Sequence, residues 1–319
     1  VKKNVKVAAV QMESVPGDKT VNLGTVRAMA AQAAAAGVEI AVFPECCLTG
    51  YWFLRRLSEP EIGALAERAF DGRCAVELLA LSRQLGMSIG AGLVEAGEDG
   101  RFYNSYLLAM PDGVIKRHRK IHAFESEYIS AGSEFTVFDT PHGCRAAILI
   151  CYDVNLVENV RISALAGADV ILAPHQTGGC RTRNPHLMGV IERSVWDNRH
   201  RDPQAIEREL LGEKGRGWLM RWLPSRAHDN GLFLVFSNGV GVDDDEIRTG
   251  NAMVLDPYGR ILAESRKADN DVVIAELDAS LLAESTGRLW MQARRPELYG
   301  PLTRRIGIER DMREVKFSE

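Results

Sequence analysis

The chain reads as an α/β protein in which helices cover the outside of two stacked sheets, and three observations lead there. Apolar runs of strand length alternate with helical patterns through most of the 319 residues. Hairpin signals interrupt that alternation in the second half. No Pro/Gly/Ser-rich linker, internal repeat or low-complexity tract divides the sequence, so residues 1–319 are expected to form a single domain.

Residues 5–10 are the first buried strand. Leu23, Val26, Ala30 and Ala33 follow at helical spacing, and Gly37 closes that helix. Residues 40–43 are the second strand. Helices are expected over about 61–70 and about 75–85, the latter stopped by Gly86. Residues 88–95, 104–109 and 145–150 read as strands, 157–165 as a helix and 169–173 again as a strand. Further strands are expected at 232–237, 252–255, 260–264 and 272–276. Asp256-Pro257-Tyr258-Gly259 is a turn signal that makes a hairpin of two of them. One stretch breaks this rhythm. Residues from about 178 to 223 form a polar, arginine-rich insertion, partly helical near 207–211, and are expected to cover a site or to serve an oligomer contact. A tail from about 301 to 319 carries Arg304, Arg305, Arg310 and Arg313 and is expected to join such contacts.

Composition narrows the function classes. A net charge of −4 and a pI near 6.1 give no bulk attraction to nucleic acid. No apolar stretch approaches the roughly 20 residues that span a bilayer, so no membrane partner is expected. The N-terminus has no signal-peptide layout, and six cysteines without a Cys-x-x-Cys pair suit a reduced, cytoplasmic protein. His118 and His122 stand four apart, but no zinc-hydrolase motif accompanies them, so structural or surface roles are expected for them. Gly90-Ala91-Gly92 lacks the third glycine of a dinucleotide loop, and Asp243-Asp244-Asp245-Glu246 reads as a solvated acidic loop.

The chemistry lies where apolar runs end. The run 146–150 leads directly into Cys151, and 42–44 into Glu45; Lys120 sits in the basic run between them. Amide-type hydrolysis needs a nucleophile, a base and an oxyanion partner. A thiol, a carboxylate and an ammonium supply all three, with the N–H of Tyr152 as a second oxyanion donor. Taken singly, Cys151 reads equally well as a buried thiol, Glu45 as a turn carboxylate and Lys120 as a solvated cation. His175, Gln176 and Thr177 follow the strand 169–173 at a similar strand end and are candidate substrate contacts. Arg181 and Arg183, just beyond, are candidates by position and chemistry to pair bidentately with a substrate carboxylate.

The three phrases together resemble the nitrilase superfamily of carbon–nitrogen hydrolases. Val42-Phe43-Pro44-Glu45, Arg119-Lys120-Ile121-His122 and Ile150-Cys151-Tyr152-Asp153 carry the resemblance, with Asn104-Ser105-Tyr106 and Gly250-Asn251-Ala252-Met253 in support. It implies a four-layer α-β-β-α sandwich that uses no metal and no cofactor, with Glu45 as general base, Lys120 as oxyanion residue and Cys151 as nucleophile. It also implies that Glu125, rather than Glu127, orients Lys120 or assists proton transfer, and that the chain assembles as a homo-oligomer. Cys-Tyr-Asp is closer to the amidase-type branches than to Cys-Trp-Glu nitrilases. A small non-peptide amide is therefore the first expected substrate, an N-carbamoyl compound the second and a nitrile the third. One departure is visible: Phe-Pro, common before the glutamate matching Glu158, is replaced by Leu156-Val157. An acyltransferase using the same cysteine, or a non-catalytic binding member, are the alternatives from other classes.

Overall fold

Among the described residues, 14 strands form two seven-stranded sheets built around two neighbouring parallel strands. The computed structural model describes residues 3–182, 184 and 186–317. In the first sheet β1 (Val5–Met12) is central, with β2 (Ile40–Val42) parallel on one side. Beyond it lie β3 (Ser88–Ala96), β4 (Phe102–Ala109) and β5 (Ile115–Arg119), with the short β6 (Ile129–Ser130) beside the start of β4. The second sheet holds β7 (Thr136–Asp139), β8 (Arg145–Ile148), β9 (Val170–His175) and β10 (Phe233–Asp243), and β11 (Glu246–Thr249) folds back on the far half of β10. β12 (Met253–Leu255) and β13 (Ile261–Glu264) complete that sheet. β14 (Asp271–Leu277) returns to the first and pairs antiparallel with β1. The sheets meet along one short seam, where Gln11 and Met12 of β1 pair with Asn238 and Gly239 of β10.

Side-chain alternation decides the layering. Val5, Val7 and Ala9 of β1 and Ile40 and Val42 of β2 face Ile148 of β8, Leu172 of β9 and Val235 of β10, forming a core between the sheets. The opposite face of the first sheet, through Ala8, Val10, Ala41 and Ile89, packs on α1 (Lys19–Ala35) and α3 (Arg73–Leu85). The opposite face of the second, through Ala147, Ile171 and Leu234, packs on α5 (Val157–Leu165), α8 (Arg216–Leu219) and α9 (Leu223–His228). The protein is therefore a four-layer α-β-β-α sandwich.

The helices stop for local reasons. Asp18 caps α1 by accepting the N–H groups of Thr20 and Val21, and Gly86 ends α3 in the left-handed conformation. The helix expected over 61–70 is shorter: α2 runs Glu59–Leu65, fixed at its start by reciprocal Ser58–Glu61 capping. Glu67 leaves the helical path, bridges to Glu95 of β3, pairs with Lys19 at 2.7 Å and accepts the Cys74 N–H at 2.7 Å. Those partners outweigh continuation of the helix.

The insertion carries the short α6 (Arg193–Asp197) and α7 (Pro203–Leu211) as well as α8. Ile191, Trp196, Ile206 and Leu210 pack on Val240 and Ile247, so its first half sits on the β10–β11 hairpin. Its start is pinned at Gly179 (φ +62°), where a Cβ would lie 1.9 Å from the Ile247 carbonyl. After α10 (Ser280–Ala283) and α11 (Thr286–Gln292), an exposed strap leads to α12 (Met312–Phe317). Among the described residues, no helix is long and apolar enough to cross a membrane.

Candidate active site

Glu45, Lys120 and Cys151 reach one buried place from different sheets. Glu45 lies three residues beyond β2, in a turn that includes Cys46 at φ +46°. This turn presses so closely on β3 that a Cβ at Gly92 would stand 2.2 Å from the Cys46 nitrogen. Lys120 follows β5 directly, and its N–H donates to the Asn104 carbonyl at 2.8 Å. Both therefore belong to the first sheet. Cys151 comes from the second, between β8 and α4 (Tyr152–Asn155), with its N–H donating to Pro174 O at 2.9 Å. Its backbone has φ +49° and ψ −108°, a strained conformation that turns the chain sharply from strand to helix. Tyr152 is the first residue of α4, so its N–H has no acceptor within the helix.

Lys120 is fully buried between two carboxylates. Its Nζ donates to Glu45 Oε1 at 2.7 Å and to Glu125 Oε1, and the Asn104 amide also donates to Glu45 Oε1 at 2.7 Å. The other Glu45 oxygen, Oε2, is buried without a hydrogen-bond partner. Phe124 N–H donates to Glu125 Oε2 at 3.1 Å, holding that carboxylate in place.

The charges set the proton positions. Burial raises the Glu45 carboxyl to about 7; Lys120 pulls against that rise, and the like charge of Glu125 adds to it. Burial also pushes the Cys151 thiol far above its ordinary value, reinforced by Glu45 and opposed by Lys120. For Lys120, burial works against the charge, but Glu125 and Glu45 hold it well above the usual lysine range. The resting site thus holds a neutral thiol beside a carboxylate poised to accept its proton near neutral pH.

A second group ties the cysteine turn to the lysine loop. Asp153 accepts the N–H groups of Ile121 at 3.2 Å, His122 at 2.9 Å and Ile150 at 3.2 Å, and its Oδ1 lies 2.9 Å from His122 Nδ1. Burial opposes its charge, yet His118 and His122 hold its carboxyl well below the usual carboxylate range. The histidine pair noted for its spacing is thus an anchor for Asp153, with His118 buried and His122 half-buried. Asn104 and Asp153 were visible only as members of phrases; nothing local in the sequence marked their roles.

The remaining candidates lie at various removes. Gln176 is buried and its amide donates to the Glu45 carbonyl at 2.9 Å, joining the two sheets at the site. His175 packs its ring against Phe236 and Trp222, with Nε2 buried and unpartnered; burial, then Lys120, lowers its pKa to about 3, so it is neutral. Thr177 has its N–H held by Asn238, and its hydroxyl faces Met188 Sδ at 3.7 Å. Arg181 is exposed, with its main chain tied to Glu246; Arg183 lies outside the described residues. A cavity of about 360 Å³ elsewhere, between α7 and residues 266–269, includes none of Glu45, Lys120 or Cys151. All six cysteines are free thiols.

Comparison with known proteins decides the family. The family model described as carbon–nitrogen hydrolase matches residues 6–286. The chain belongs to the carbon–nitrogen hydrolase family. It is similar to an (R)-stereoselective amidase of Pseudomonas sp, 31% identical over 87% of this chain and 86% of the relative. It is also similar to a 2-oxoglutaramate amidase of Bacillus subtilis, 30% identical over 77% and 80%. Among solved structures, a cysteine-to-alanine mutant of a Nesterenkonia AN1 amidase from the nitrilase superfamily has the same fold, with a TM-score of 0.68 and 20% identity over 95% of this chain and 98% of that one. The protein is accordingly a hydrolase of carbon–nitrogen bonds other than peptide bonds, of the amidase type.

Proposed function

We propose that Glu45, Lys120 and Cys151 hydrolyse a small non-peptide amide through a thioester. The observation that carries this reading is Lys120 bonded to both Glu45 and Glu125, while Glu45 Oε2 remains unbonded and Glu45 acts electrostatically on the Cys151 thiol. Because the thiol is protonated at rest, sulfur attacks the amide carbon as Glu45 takes its proton. The carbonyl electron pair moves onto oxygen, which Lys120 Nζ and the Tyr152 N–H receive. Collapse of this intermediate breaks the carbon–nitrogen bond as Glu45 returns the proton to nitrogen, and ammonia or an amine leaves. Water then attacks the thioester while Glu45 accepts its proton; the acid departs and Cys151 is restored. Glu125 touches Lys120 rather than the reacting atoms, so it acts as a positioning residue, and Gln176 positions Glu45 through its carbonyl.

The test is ammonia release from a panel of aliphatic amides, ω-amides, N-carbamoyl amino acids and nitriles, with Cys151→Ala as control. Amide-specific release that disappears in the variant supports the reading; turnover of the amides that persists in Cys151→Ala sinks it. The exposed Leu302, Ile306 and Ile308 on the strap before α12 also support assembly as a homo-oligomer. Sedimentation as a monomer at micromolar concentration would remove that part of the proposal.

A further inference from the structure

The two cysteines that follow Glu45 turn to opposite sides. Cys47 packs among the side chains under α1 and α3, and its sulfur reaches the Gly92 carbonyl at 4.0 Å. Cys46 turns toward β4, where its thiol donates to Asn104 Oδ1 at 3.3 Å. That contact closes a chain of three buried groups, because the nitrogen of the same amide donates to Glu45 Oε1 at 2.7 Å. Cys46 is held in this attitude. Its backbone is left-handed at φ +46°, and its carbonyl accepts the N–H groups of Thr49 at 3.1 Å and Gly50 at 2.8 Å. Its side chain belongs to the apolar group that includes Tyr51, Val94 and Phe124. Burial, then Glu45 and Glu125, push its thiol well above the ordinary value, so it keeps its proton and remains a donor.

A side-chain amide can face a carboxyl group in two ways. With its nitrogen forward it donates, which favours the ionised carboxylate. With its oxygen forward it confronts a carboxylate as a second acceptor, and only a protonated carboxyl group can bond to it. The Cys46 S–H decides between these arrangements. It gives the amide oxygen a donor when the nitrogen faces Glu45, whereas in the reverse arrangement sulfur is a poor acceptor for the nitrogen. The other ionisable groups in electrostatic reach of Glu45 are Lys120, Glu125, Tyr51 in its own turn and Cys151 from the second sheet. Among the described residues, none of these four bonds the Asn104 amide.

We propose that Cys46 is a positioning residue, whose S–H holds the Asn104 amide nitrogen toward Glu45 and so keeps that carboxylate in the form that accepts the Cys151 proton. The inference rests on Glu45 acting as the base in amide hydrolysis. Cys46 bonds none of the reacting atoms in this assignment and acts through Asn104 alone.

The experiment is the pH dependence of kcat/KM for the amide of the panel that wild type hydrolyses fastest. It is measured in wild type, Cys46→Ala, Cys46→Ser, Asn104→Ala and the double variant Cys46→Ala with Asn104→Ala. Cys46→Ala is expected to move the acid limb upward by about 0.5–1 pH unit, a fall of about 3–10-fold below the limb, with the plateau changed by less than about two-fold. Serine keeps a donor and should return the limb to within about 0.2 unit of wild type. In the Asn104→Ala background the Cys46→Ala change should move the limb by less than about 0.2 unit, because the amide it acts through is gone. Three results would overturn the assignment while leaving Glu45 as the base: a limb that stays in place in Cys46→Ala, a serine variant that shifts as far as alanine, or a full shift without Asn104. A wild type inert across the panel, or one with no acid limb near 7, overturns the reading of Glu45 as base and this inference with it.

Discussion

Replacing Glu125 by Gln isolates the repulsion between the two carboxylates that share Lys120. Glu45 must be ionised to accept the Cys151 proton, so wild-type kcat/KM is expected to rise with pH through about 7. Glu125 is one of the groups holding that value up. Carboxylates gripping a single ammonium stand about 5 Å apart, and with an effective dielectric constant of about 20 their repulsion is ~3 kcal/mol. That corresponds to about 2 pH units, and relaxation of the site brings the expected shift to about 1–2. The acid limb in Glu125→Gln is therefore expected between about pH 5 and 6. The plateau falls about 10–100-fold because Lys120 is held less firmly for the oxyanion. The assay is the pH dependence of kcat/KM, which reports free-enzyme groups, with circular dichroism at each pH to verify folding. An acid limb that stays near 7, or moves upward, refutes the claim that Glu125 sets the Glu45 proton affinity.

Other outcomes follow from the same geometry. Cys151→Ala is expected to lose at least about 1,000-fold in kcat while its Tm stays within about 2 °C, measured by ammonia release and calorimetry; a comparable fall in Tm would point to a structural cysteine. Gly92→Ala drives a Cβ into the Cys46 nitrogen and the Glu45 backbone, and should cost about 2–4 kcal/mol in urea unfolding and more than ten-fold in kcat. Gly24→Ala, in α1 with no atom within 4 Å of the new Cβ, should instead stabilise by about 0.5–1 kcal/mol with activity unchanged. Asp153→Asn should cost about 2–4 kcal/mol at pH 7, read from urea midpoints, through its lost charge-assisted bonds. Because the folded Asp153 carboxyl is depressed, its stabilisation is full above the ordinary aspartate value of about 3.9 and wanes as pH falls below it. The gap between wild type and variant should therefore shrink at pH 3, and a constant gap would contradict the linkage.

Many of the strands were legible because buried strands declare themselves, whereas their order in the sheets was not. Residues 40–43 and 170–173 are apolar on both faces, as strands between a helix layer and a second sheet must be. β5 was hidden for the opposite reason. It is an edge strand, Ile115–Arg119, whose Arg117 and Arg119 pair with Glu95 across the sheet, so its sequence shows a basic run rather than an apolar one. That strand is what delivers Lys120 beside Asn104. Glu45, Lys120 and Cys151 could be picked out as candidates by local phrase, but their meeting depends on contacts distant in sequence. Gln176 to Glu45 and Asp153 to Ile121 and His122 join segments that no periodicity relates. The substrate candidates were weaker because strand-end position does not specify where a side chain points. His175 turns into an aromatic nest, and Arg181 lies in the open.

The seam between the sheets has a consequence for how the enzyme tolerates change. Glu45 and Cys151 ride on different sheets, and among the described residues the strands of those sheets pair with one another only where β1 and β10 touch. The apolar layer between them therefore acts as a spacer that sets the gap across which the proposed proton transfer runs. Volume changes at Val7, Val42, Ile148 or Val235, all remote from the substrate in chemistry, should alter that gap by tenths of an ångström. Turnover is then a more sensitive gauge of this interior than melting temperature, and warming should slacken catalysis before the sheets come apart.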